Sequence, residues 1–132
     1  MIKKNLFSVG IDIEDIERFK SLSRKKDKIF LDKVFTKEEL RYSFLKKLSA
    51  QHLAVRFAGK EAMIKALKSN TRKPLLYSQI EIITTKQGAP KVFLHSPFYR
   101  DVVSEISLSH CSDKVVAVAF VYHISLCKNN QP

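Results

Sequence analysis

The sequence predicts an α+β fold: a single domain with an antiparallel sheet packed on helices. Three observations predict it. Strand-like and helix-like segments are mixed in order, without the regular βαβ alternation of a parallel sheet. Two pairs of apolar segments are joined by short connections, around Gln87-Gly88-Ala89-Pro90 and around His110-Cys111-Ser112-Asp113, as in antiparallel hairpins. The chain has 132 residues, 45% of them hydrophobic and 28% charged, which suits one globular domain. A core of this size gains further burial by oligomerising. Residues 1–124 are assigned to the domain and 125–132 to a C-terminal tail.

The elements follow in order. Residues 6–13 (LFSVGIDI) read as a buried strand ending near Asp12. Ile13, Ile16 and Phe19 then recur at helical spacing, which predicts a helix there. Residues 20–33 are lysine-rich and expected to be exposed. Thr36 with Glu39 three residues on is a capping-box pattern, so a helix should run to about Leu45. Ser49 is a candidate cap for a second helix, reaching about Lys68. Residues 69–74 are a loop. Residues 78–85 and 91–95 read as two strands, Ser96-Pro97 as the start of a helical turn, and residues 103–109 and 115–123 as two closing strands.

Net charge is +11, from 24 Lys and Arg against 13 Asp and Glu. Such a surface attracts polyanions: nucleic acid, acidic membranes, phosphorylated ligands or acidic proteins. Cys111 and Cys127 form no CxxC pair and read as two reduced thiols. Lys3 and Lys4 precede an apolar stretch that Asp12, Glu14, Asp15 and Glu17 interrupt, unlike a signal peptide. No apolar run reaches the length of a membrane span. The expected location is the cytoplasm, with no membrane partner.

The helix predicted over 49–68 is apolar on two sides. Leu53, Phe57, Ile64 and Leu67 share one face; Ala54, Ala58, Ala62 and Ala66 form a ridge roughly opposite. Small side chains let another backbone approach, so most of this helix should be covered by protein. Yet it also carries Arg56, Lys60, Glu61, Lys65 and Lys68. Glu61 and Lys65 suit a surface pair worth about 0.2–0.5 kcal/mol. Charges on a covered helix otherwise need partners, and a phosphate ester with a metal would supply them.

A second cluster is acidic. Four of the 13 acids fall between Asp12 and Glu17. Carboxylates at a helix N-terminus explain Glu14 or Asp15. Asp12 sits inside the apolar string Val9-Gly10-Ile11-Asp12-Ile13, where a carboxylate needs a cation, a metal or several hydrogen bonds. Magnesium typically takes one or two carboxylates plus substrate phosphates. Asp12 and Glu61 would supply them if the strand end meets the helix.

These residues resemble motifs of the holo-(acyl carrier protein) synthases, the small single-domain phosphopantetheinyl transferases. Val9-Gly10-Ile11-Asp12-Ile13 with Ile16-Glu17-Arg18 resembles the first motif. Arg56-Phe57-Ala58-Gly59-Lys60-Glu61-Ala62 with Lys65-Ala66-Leu67 resembles the second. Phe35-Thr36-x-x-Glu39-Leu40, Ile80-Glu81-Ile82 with Gly88-x-Pro90, and Ser107-Leu108-Ser109-His110 match the remaining ones in order. One departure is Lys68-Ser69-Asn70-Thr71-Arg72-Lys73, where the family has a glycine-rich loop.

The resemblance implies transfer of phosphopantetheine from coenzyme A to a serine of apo acyl carrier protein, releasing adenosine 3',5'-bisphosphate, in fatty acid biosynthesis. It implies a homotrimer with active sites between subunits. Asp12 and Glu61 match the family's magnesium ligands, Lys65 a lysine near the pyrophosphate, and His110 a residue close to the nucleotide phosphates. Glu61, Lys65 and His110 are the expected catalytic residues. Arg56, Lys60, Lys65 and His110 are the expected contacts to coenzyme A. Glu61 or a magnesium-bound water would take the serine proton. Arg18, Lys20, Arg24 and Lys25 are candidates for attracting the acidic carrier protein. The competing reading is a basic nucleic-acid-binding module. It has only net charge behind it: no nucleic-acid motif or evident stacking set of aromatics accompanies it.

Overall fold

The computed structural model describes residues 6–68 and 73–124. The expected tail, and most of the loop that departs from the family pattern, lie outside the described residues. The chain forms β1 (Phe7–Asp15), α1 (Glu17–Lys20), α2 (Lys28–Val34), α3 (Lys37–Leu45), α4 (Ser49–Lys68), β2 (Ile80–Thr84), β3 (Pro90–Leu94), β4 (Val102–His110) and β5 (Lys114–His123). Short 3-10 turns at Tyr77–Gln79 and Pro97–Tyr99 precede β2 and β4. All pairings are antiparallel: β1-β5-β4 form one sheet and β2-β3 a hairpin. This is the predicted α+β class.

Three elements differ from expectation. Strand β1 runs on to Asp15, because Val9, Ile11 and Ile13 alternate with inward residues and pair in register with β5. The spacing of Ile13, Ile16 and Phe19 therefore marks no long helix, and α1 is four residues long. Within the lysine-rich stretch, α2 forms because Leu31 and Val34 reach the core one turn apart. Ser96-Pro97 does open a helical turn. The turn between β2 and β3 places Gly88 at φ 85°, a conformation glycine adopts without steric cost. Cys111 is an exposed free thiol; Cys127 lies outside the described residues.

Helix α4 is the centre of the packing. Of its 20 residues only Lys65 and Lys68 are exposed. The alanine ridge lies against β1: a Cβ added at Gly10 would sit 1.9 Å from the Ala62 carbonyl oxygen and 2.7 Å from the Ala66 amide. Ser8 Oγ donates to the Ala66 carbonyl at 2.6 Å. Gly59 meets Ile82 and Ile106, where β2 and β4 converge. Among the described residues, nothing covers the other face of the sheet. Phe7, Val9, Ile11 and Ile13 of β1 and Val118 and Phe120 of β5 are exposed there.

Gly10→Ala should be costly, since the obstructing atoms are helix backbone and cannot rotate away. A loss of about 3 kcal/mol or more is expected, read as a fall in the urea midpoint. Gly88→Ala has open space around it and should cost about 1–2 kcal/mol from its backbone conformation alone.

Candidate active site

Asp12 and Glu14 point from β1 toward α4, on the side opposite Ile11 and Ile13. Glu61 and Lys65 stand one turn apart on α4; Lys65 reaches the end of β1, and the Glu61 charge acts on both Lys65 and Glu14 there. They do not pair with each other as a surface couple. Lys65 Nζ donates to Asp12 Oδ1 and to the Ile11 carbonyl, each at 2.9 Å. Glu61 Oε1 accepts from the Tyr77 hydroxyl. The Tyr77 ring stacks on Phe57 with centroids 5.8 Å apart. Phe57 in turn meets Phe19, and the Arg18 guanidinium lies 5.9 Å over the Phe57 ring while pairing with Glu14.

The charges explain the ionisation. Its hydrogen bond to Asp12 holds Lys65 above the ordinary lysine range. Burial pushes the Glu14 carboxyl up; its hydrogen bond with Asp12 and the charges of Asp12 and Glu61 push the same way, and Arg18 opposes them. Tyr77 is pushed up to about 12, first by its hydrogen bond to Glu61. It therefore stays a donor at physiological pH. Asp12 Oδ2 is buried and has no hydrogen-bond partner when Glu14 is ionised. A buried carboxylate oxygen in that state is expensive and suits a hard cation. Among the described residues no group of three or more His, Cys, Asp or Glu is arranged to hold a metal by itself. Two carboxylates completed by substrate phosphates fit this arrangement.

At the other end of α4, His110 Nε2 lies 3.1 Å from Gln51 Nε2. Gln51 and Lys65 stand fourteen residues apart, about 21 Å along the helix. His110 and Gln51 line a cavity of about 290 Å³ with Tyr42, Arg56, Thr84 and Pro90. Arg56 donates to the His52 carbonyl and to Thr84 Oγ1, each at 3.2 Å, and lies 4.4 Å from the Tyr42 ring centroid. Its Nε is buried without a partner among the described residues. A single protomer thus brings Asp12, Glu61 and Lys65 together and sets His110 and Arg56 apart from them.

A model of the 4'-phosphopantetheinyl transferase superfamily matches residues 8–119. The chain belongs to that superfamily. The chain is 44% identical over 113 residues to the holo-(acyl carrier protein) synthase of Thermodesulfovibrio yellowstonii, covering 86% of this chain and 94% of that one. It is 36% identical over 115 residues to that of Chloroherpeton thalassium, covering 86% and 95%. Among solved structures, the Helicobacter pylori holo-(acyl carrier protein) synthase in complex with coenzyme A has a TM-score of 0.71 at 32% identity, over 86% of this chain and 98% of that one. The Mycobacterium tuberculosis acyl carrier protein synthase has 0.68 at 33%, over 88% and 96%.

One expected contact of this phosphopantetheinyl transferase does not fit its structure. Lys60 is fully buried, and its ammonium is taken up by Glu39 Oε2 at 2.8 Å, the Tyr77 carbonyl at 2.9 Å and the Ile80 carbonyl. All three hydrogens are used, so Lys60 has none left for coenzyme A. Burial lowers its pKa, and Glu39 opposes that. Glu39 was legible as the capping-box residue of Thr36 and as part of a matched motif, not as the partner of Lys60; it also accepts from the Ile82 amide at 2.8 Å. Tyr77 went unread, because it sits in a 3-10 turn where no periodicity marks it.

Lys60→Met should destabilise the transferase by about 3–5 kcal/mol, since it strands a buried carboxylate. The expected readout is a lower denaturation midpoint. Adding Glu39→Gln should recover part of the loss.

Proposed function

We propose that the chain is a holo-(acyl carrier protein) synthase that moves phosphopantetheine from coenzyme A to a serine of apo acyl carrier protein, in the cytoplasm and in support of fatty acid biosynthesis. The observation that carries this reading is the meeting of Asp12, Glu61 and Lys65, from β1 and α4, around a buried carboxylate oxygen without a partner. Asp12 and Glu61 would hold magnesium, which when bound supplies charge neutralisation of the pyrophosphate and polarisation of the reacting phosphoryl group.

The residues of the chain do the rest. The serine oxygen attacks the phosphorus carried by pantetheine, the pyrophosphate P–O bond breaks, and adenosine 3',5'-bisphosphate leaves. Glu61 or a magnesium-bound water would take the serine proton. Lys65, half exposed and movable from Asp12, neutralises charge on the leaving phosphate. Arg56 and His110 line the cavity suited to the nucleotide end. The net charge of +11 attracts an acidic carrier protein, and Arg18 beside Phe57 lies close to the carboxylates where the serine must arrive. The same charge also suits the phosphates of coenzyme A.

Assembly completes the reading. The exposed apolar face of β1 and β5 is what an oligomer covers. A homotrimer with sites between subunits would bring the His110 end of one protomer to the carboxylate end of another.

Two experiments test these points. With coenzyme A and apo carrier protein, EDTA should abolish transfer and magnesium restore it. Asp12→Ala and Glu61→Ala should each lower the rate by at least about a hundredfold while the circular dichroism spectrum is retained. Full activity in either variant would remove the metal assignment. For the shared site, Asp12→Ala and His110→Ala protomers, inactive alone, should regain activity when unfolded together and reassembled. No recovery in demonstrably mixed oligomers would place each site within one protomer.

A further inference from the structure

Glu61 carries three side-chain torsions and sits on a helix flank, so nothing in its own sequence neighbourhood aims its carboxylate at β1. The structure supplies the missing constraint through Tyr77. Its hydroxyl donates to Glu61 Oε1, its ring stacks on Phe57 at an interplanar angle of 10°, and its backbone carbonyl accepts from Lys60 Nζ at 2.9 Å. Lys60 is itself immobilised by Glu39. Ring, backbone and hydroxyl of Tyr77 are thus each held by a different partner.

We propose that Tyr77 is the positioning residue of Glu61: it engages one carboxylate oxygen and directs the other toward Asp12, presetting the pair for a divalent cation. This rests on the reading of Glu61 as a magnesium ligand. The physical basis is that a carboxylate with one oxygen already hydrogen-bonded loses less freedom on binding a cation, and that partners behind metal ligands commonly govern affinity. Tyr77 touches no reacting atom in this scheme and acts only through Glu61.

Tyr77→Phe is the informative variant, since it keeps the ring stack and the carbonyl contact and removes only the hydroxyl. Mn²⁺ serves as the probe, titrated by electron paramagnetic resonance into the protein saturated with coenzyme A. The variant should bind Mn²⁺ about tenfold more weakly or worse. The magnesium concentration giving half-maximal transfer should rise by a similar factor, with the unfolding midpoint at its wild-type value. A merely structural tyrosine would move the midpoint and leave Mn²⁺ affinity alone, and that result overturns the proposal. Glu61→Gln separates the two levels. If it loses Mn²⁺ while Tyr77→Phe does not, positioning by Tyr77 is wrong and the ligand assignment stands. If Glu61→Gln binds Mn²⁺ as the wild type does, the ligand assignment itself fails and the proposal falls with it.

Discussion

Lys60 and Glu39 form an ion pair from which water is excluded, both side chains being wholly buried. Such a pair gives little net stability over an apolar substitute, but neither partner can be left alone there. What it contributes is location. Glu39 binds the Thr36 amide at 2.8 Å and the Ile82 amide at 2.8 Å, so it joins the start of α3 to β2. Lys60 adds α4 and the carbonyls of Tyr77 and Ile80. Three elements distant in sequence are thereby fixed around one point. The residue after Lys60 is Glu61, so the helix turn that carries the buried cation also carries the candidate metal ligand.

Burial on two sides constrains what α4 can do chemically. Alanines and Gly10 bring the helix backbone against β1, while Gly59 admits Ile82 and Ile106 on another side. Polar side chains are then left the ends and one narrow lane. Glu61 and Lys65 use the lane beside Asp12. Arg56 and Gln51 use the other end, beside His110. Close helix-to-strand packing is also what lets a lysine side chain reach both the Asp12 carboxylate and the Ile11 carbonyl.

Much of this was legible in the sequence. The capping box at Thr36 and Glu39 forms as read, and α4 has the bounds Ser49 and Lys68 expected of it. Asp12 was recognisable because a carboxylate inside an apolar string needs a reason. Helix α2 was obscured by its setting: it lies in a lysine-rich stretch, and of its own apolar residues Ile29 and Phe30 are exposed while only Leu31 and Val34 are buried. The role of Lys60 was hidden for another reason. Periodicity places a charge on a helix, but it does not say which element closes over it. A ligand and a buried carboxylate are equivalent partners until the fold chooses, and here the fold supplies Glu39. Tyr77 shows the same limit, since its partners depend on tertiary packing alone.

Strand β1 links the candidate site to assembly. Its period of two sends Asp12 and Glu14 toward α4 and Val9, Ile11 and Ile13 to the uncovered face. A slip of one residue against β5 would exchange the two sets, exposing the acids' positions to the wrong side and forcing isoleucine against the helix backbone. Gly10 forbids that exchange, because no residue with a side chain fits opposite Ala62. Covering the outer apolar face in an oligomer would favour the same register from the other side. The alternation that presents a surface for assembly is therefore the alternation that aims Asp12, and a change weakening one should be felt at the other.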